Sequence, residues 1–92
     1  MSILREAERI VDGERGDAYG PPEKDFGRVA KMWSALLGVE VEAWQVGACM
    51  ICLKLSRETN KHKRDNLVDV AGYAKTIDMI REGVPENDST VL

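Results

Sequence analysis

The chain has 92 residues, 43% of them hydrophobic and 32% charged, with a formal net charge of -3 and a sequence pI near 5.1. A chain this short supports one domain, and its composition excludes disorder for most of its length. The acidic balance excludes a broad field for polyanions, which argues against DNA or RNA and for a small ligand or a protein as partner.

Ser2 reads as an N-cap, and Ile3, Leu4, Ala7, Ile10 and Val11 recur at helical spacing up to Gly13, defining a first helix. Residues 13–22 hold Gly13, Gly16, Gly20, Pro21 and Pro22 around Arg15, Asp17 and Tyr19, and read as an ordered loop. Pro22 opens a second helix with Glu23 and Asp25 at its positive end; its buried stripe of Phe26, Val29, Ala30, Trp33, Leu36 and Leu37 runs to Gly38. A third helix covers about residues 42–58, and its segment 46–53 is apolar on every side, the mark of a helix enclosed all round. The short polar connection at residues 59–63 turns the chain back, so a fourth helix over about residues 64–82 returns antiparallel beside the third. Leu67, Val70, Ala71, Ala74 and Ile77 form its predicted core stripe, with Asp65, Asp69, Gly72, Tyr73, Thr76 and Ile80 on a second face. Residues 84–92 read as a loose tail on a single domain of residues 1–83.

The expected fold is all-α: a compact four-helix domain whose third and fourth helices form an antiparallel hairpin. Four short helices do not enclose both the third helix and the two-faced fourth, which predicts completion by a second copy in a homo-oligomer. A tight monomeric bundle with the third helix at its centre is the alternative. No apolar run approaches the roughly 20 residues of a membrane span and no signal-peptide core is present, which predicts a cytoplasmic protein. Cys49 and Cys52 fit a reducing compartment; their CxxC spacing inside an apolar helix reads as buried core thiols. Trp33 and Trp44 read as packing residues.

The strongest chemistry-bearing group is Lys54, Arg57, Asp65 and Asp69. In an antiparallel hairpin centred near Lys61, Arg57 falls level with Asp65 and Lys54 with Asp69, making a ladder of charges. Two readings stand. The ladder either fixes the helix register through ion pairs, or it opens onto a cleft where Lys54 and Arg57 meet phosphate oxygens and the carboxylates hold a cation or a sugar hydroxyl. Lys61, His62, Lys63 and Arg64 add a basic run beside a helix N-terminus, which attracts anions; a solvated turn is the plainer reading. His62 is a general base, a metal ligand or an exposed turn residue. Arg15 and Tyr19 suit covering a base or closing a pocket, or else Tyr19 packs on the bundle. Neither a Walker loop nor a dinucleotide fingerprint is present, and a lone histidine supports no Ser/His/Asp set.

Arg15 with Tyr19-Gly20-x-Pro22, then Phe26, Trp33, Lys54, Arg57 and Asp65-Asn66-x-x-Asp69-x-x-Gly72-Tyr73-Ala74, resembles a small, functionally uncharacterised, all-helical domain family of tailed-phage and prophage genomes, over about residues 7–80. The chain is more distantly similar to the MazG-like all-α nucleoside triphosphate pyrophosphohydrolases, oligomeric bundles that hold magnesium on acidic residues of two adjacent helices. If the chain is such an enzyme, that similarity implies magnesium as cofactor with Glu58, Asp65 and Asp69 as its ligands. Arg57 and Lys61 stand at glutamate positions, however, and Asn66-x-x-Asp69 stands for Glu-x-x-Asp. Cations beside so few carboxylates suit phosphate better than magnesium. The expectation is a phage-encoded nucleotide-binding module in the cytoplasm of an infected host, sequestering a nucleotide or nucleotide second messenger through Arg15, Tyr19, Lys54, Arg57, His62, Asp65, Asp69 and Tyr73. It carries no catalytic residue and no cofactor in this reading. A divergent magnesium-dependent pyrophosphohydrolase and a non-catalytic protein-interaction domain are the alternatives.

Overall fold

Residues 1–82 are described by the computed structural model, so the expected tail at residues 84–92 lies outside the described residues. Ser2 caps α1 (Ile3–Arg9), its Oγ accepting the Arg5 N–H at 3.1 Å. The chain does not open into a loop after Gly13 as expected. It continues through a π-helical segment, Ile10–Arg15, into a single turn, α2 (Gly16–Tyr19), and stops only at Gly20, whose φ of 80° favours glycine. Gly13 and Gly16 lower helix propensity by about 1 kcal/mol each. Burial of Val11 against α5 and the contacts of Arg15 outweigh that local preference.

Pro22 occupies the first turn of α3 (Pro22–Leu37), which Gly38 closes in the left-handed region at φ 71°. Ser34 Oγ donates to the Ala30 carbonyl at 2.7 Å and accepts the Val41 N–H at 2.8 Å, bending the connection back over α3. Glu42 and Gln45 then form a capping box at the start of α4 (Ala43–Asn60). Lys61, His62 and Lys63 lead into α5 (Arg64–Arg81).

Helices α4 and α5 make the expected antiparallel hairpin, with Gly47 level with Ile77 and Lys54 level with Asp69. A Cβ at Gly47 would lie 2.7 Å from Ile77 Cγ1 and 3.5 Å from the Phe26 ring, so this glycine sets how closely the two helices approach. Phe26, Ala30 and Val46 form the buried cluster between α3 and α4, with Trp33, Tyr73 and Ile80 packed against it. α1 lies along α5: the guanidinium of Arg64 donates to Glu6 and, at 2.7 Å, to the Met1 carbonyl. Among the described residues the result is a compact all-α domain of four helical units. Among the described residues no helix is long and apolar enough to cross a membrane.

Leu36 and Leu37, expected in the buried stripe of α3, are exposed at its C-terminal end, and two further packing expectations are corrected. The deepest face of α5 is Asn66, Val68 and Thr76, whereas Leu67, Val70, Ala71 and Ile77 are half-buried and Ala74 is exposed. α1 and α4 both press on the side that looks polar, and Thr76 tolerates full burial because its hydroxyl donates to the Gly72 carbonyl at 2.9 Å. The second correction concerns α4. Val46 and Gly47 are buried, but Cys49, Cys52 and Leu53 are exposed in the single chain, so the cysteines are not core thiols. Among the described residues, α3 and α5 cover one side of α4 and leave the other bare.

Candidate functional site

The π-helical segment ends at Arg15, and that geometry aims its guanidinium into a nest of aromatic rings. The rings of Tyr19, Phe26 and Tyr73 each have their centroid 5.3 Å from the Arg15 guanidinium carbon. Such contacts contribute about 0.5–1 kcal/mol each where solvent reaches them. Asp25 lies 4.0 Å from Arg15 and 3.8 Å from Arg28, giving the nest a negative edge. Beside these groups is a hollow of about 280 Å3, whose apolar wall is Phe26, Val29, Val46 and Met50. Tyr19 is 56% exposed and forms its rim.

A second concavity, about 640 Å3, lies at the turn end of the α4–α5 hairpin. Lys54, Arg57, Lys61 and Lys63 line it with Asp65 as the single carboxylate among the described residues, alongside Ser56, Asn60 and Asn66. The pair Lys54–Asp69, at 2.8 Å, joins the two regions: Lys54 lines the basic concavity, and Asp69 lines a small crevice shared with Arg15 and Tyr73. Met50 and Lys54 are one turn apart on α4, roughly 6 Å along the axis.

The structure therefore groups Arg15, Tyr19 and Tyr73 in one cluster, and Lys54, Arg57 and Asp65 in another, with Asp69 between them. The expected ladder forms only in its Lys54–Asp69 rung. Arg57 and Asp65 are level but do not pair with each other, because Lys54 and Glu58, four residues apart, take the face of α4 that meets α5 and turn Arg57 outward. His62 stands apart from both clusters. Its Nδ1 bonds to Glu58, whose carboxylate also accepts the Lys63 N–H at 2.9 Å and Asn66 Nδ2 at 3.1 Å. These bonds, that of His62 foremost, pull the Glu58 pKa down to about 2. Arg64 likewise leaves the basic run to hold Glu6, whose pKa it lowers chiefly through a hydrogen bond.

Magnesium does not fit this arrangement. Glu58 is engaged as the clasp of α5, Asp69 is ion-paired with Lys54, and among the described residues no three Asp, Glu, His or Cys gather into a metal-holding group. Sequence reasoning missed Asp25 and Phe26 as parts of the Arg15 cluster, since they were assigned to a helix start and a core stripe. It also missed the Glu58–Asn66 clasp. The eight-residue spacing across a short turn, a carboxylate on one helix and an amide opening the next, was a signal for it.

A family model described as a domain of unknown function, DUF6378, matches residues 2–81. The Gene 55 protein of Mycobacterium phage L5 is 38% identical over 90 residues, covering 96% of this chain and 56% of the relative. The Gene 55 protein of Mycobacterium phage D29 is 36% identical over 88 residues, covering 95% of this chain and 58% of the relative. The chain thus spans little more than half the length of these relatives. No solved structure matches it.

Proposed function

The chain belongs to the phage-associated DUF6378 family, and we propose that it is a nucleotide-binding module that sequesters a nucleotide or nucleotide second messenger in the cytoplasm of the host. The observation that carries this reading is the adjacency of an aromatic hollow and a basic concavity, joined through Lys54–Asp69. A base stacks on Tyr19 at the rim of the hollow, where Arg15 and Asp25 offer donors and an acceptor to its edge. Its phosphates reach Lys54, Arg57, Lys61 and Lys63, where several cations together offer charge-assisted hydrogen bonds. The engaged state of Glu58 and Asp69 supports binding over magnesium-assisted hydrolysis, because little carboxylate remains to hold the metal that such chemistry needs.

Calorimetry against a panel of mononucleotides and cyclic oligonucleotides tests this. Saturable, salt-sensitive binding is expected, weakened at least tenfold in Tyr19→Ala and in Arg57→Ala, with no pyrophosphate released on adding magnesium or manganese. Metal-dependent pyrophosphate release that vanishes in Asp69→Asn would replace the binder with the pyrophosphohydrolase. Silence across the panel would leave the protein-interaction reading.

The module is, in the same proposal, a homo-oligomer. The support is the exposed side of α4, where Cys49, Cys52 and Leu53 meet solvent in a single chain, together with exposed Leu36 and Leu37 on α3. Light scattering behind size exclusion is expected to report at least a dimer at micromolar concentration; a monomer there refutes it.

A further inference from the structure

From the pattern on the bare side of α4, we infer that a second copy of this chain docks there antiparallel, α4 against α4, about a two-fold axis that places Cys49 opposite the partner's Cys52. This rests on the oligomer reading above and names its surface.

Gln45, Cys49, Cys52 and Ser56 follow each other at spacings of four, three and four, the alternation of a helix seam that meets another helix along its length. Cys49, Cys52 and Ser56 are exposed, and Gln45 is half-buried. Residues 43–53 hold no charged side chain, so nothing along the seam repels a copy of itself. An antiparallel pairing centred between Met50 and Ile51 sets like with like: Cys49 meets Cys52, and Gln45 meets Ser56. Leu53 is exposed and flanks this seam on the same side as Cys49.

Charge selects this direction over the parallel one. The C-terminal end of α4 and its turn carry Lys54, Arg57 and Lys61, while the approach to its N-terminus carries Glu40 and Glu42. An antiparallel pair brings the basic end of each helix towards the acidic approach of the other and aligns the helix dipoles favourably; a parallel pair lays basic beside basic. Seam residues this small permit axes about 8–10 Å apart. With a helix radius of about 2.3 Å, facing Cα atoms come within roughly 4–6 Å, inside the range a disulfide bridges.

The test is oxidation of the full chain at micromolar concentration with copper phenanthroline, read on a non-reducing denaturing gel beside light scattering. A covalent dimer is expected, its peptide map joining Cys49 of one chain to Cys52 of the other. Because neither cysteine faces its own copy, Cys49→Ser and Cys52→Ser are each expected to lose the covalent dimer while remaining dimeric by light scattering. Leu53→Glu is expected to weaken self-association at least tenfold with unchanged helical circular dichroism. A covalent dimer that persists in either cysteine variant, or an oligomer that never cross-links, overturns this surface and leaves the oligomer standing. A monomer at every concentration overturns both.

Discussion

At the Gly47–Ile77 end of the α4–α5 hairpin the helices touch through apolar atoms, with Phe26 and Val46 closing the space behind them. At the turn end, the same two helices are held by Lys54–Asp69 and by Glu58 accepting from Lys63 and Asn66. At the closed end Gly47 and Ile77 leave no space between the two helices, while the open end trades apolar contact for directional bonds and keeps a concavity lined with cations. The two ends of one hairpin are therefore held by different forces. Apolar packing tolerates no change in volume, whereas a clasp of hydrogen bonds at a helix end holds the backbone and leaves side chains beyond it free to meet solvent.

This contrast breaks most directly at Gly47. Gly47→Val is expected to destabilise by about 2–3 kcal/mol, as overpacking against Ile77 exceeds any gain in helix propensity; denaturant unfolding measures it. At the open end Asn66→Ala is expected to cost about 1–2 kcal/mol, because a buried side chain is lost and Glu58 loses a donor. Gly27, on α3 with nothing within 4 Å of its Cβ position, supplies the opposite sign. Gly27→Ala is expected to stabilise by about 0.5–1 kcal/mol, and a loss there would mean that the space beside it is filled. Arg57→Ala is expected to move stability by less than about 0.5 kcal/mol, since its side chain faces the concavity, while reducing nucleotide affinity.

Acid titration sharpens the same comparison. Glu58 has a folded-state pKa depressed to about 2 by His62, Lys63 and Asn66, so its contribution is full above the ordinary carboxylate value and fades as pH falls from about 4.5 through about 2. Melting temperature followed over that window should drop, and Glu58→Gln should flatten the drop while lowering the plateau above it. An unchanged slope in Glu58→Gln would show that the clasp does not hold the turn.

Several features were legible in the residues themselves. The Ser2 cap, Pro22 and Gly38 marked helix ends because capping and left-handed backbone depend on local chemistry. The polar turn between two helical patterns was enough for the antiparallel hairpin and for the Lys54–Asp69 rung, whose register follows from counting residues away from the turn. Residues 13–22 were misread because glycine and proline counts report propensity, and here long-range contacts of Val11 and Arg15 override it.

What the sequence by itself determined was the set of helices, their order and the pairing of the last two, all of which rest on interactions within a turn or across one short connection. Only the tertiary structure decided which side of each helix is covered. The segment 46–53 is apolar all round, so its hydropathy could not say that α3 and α5 would bury Val46 and Gly47 and leave Cys49 and Cys52 bare. Nor could it bring Arg15 from one end of the chain to Tyr73 near the other. Burial depends on which surfaces are brought together across long stretches of chain, and a one-dimensional pattern carries the tendency of a face to be buried without the identity of what buries it.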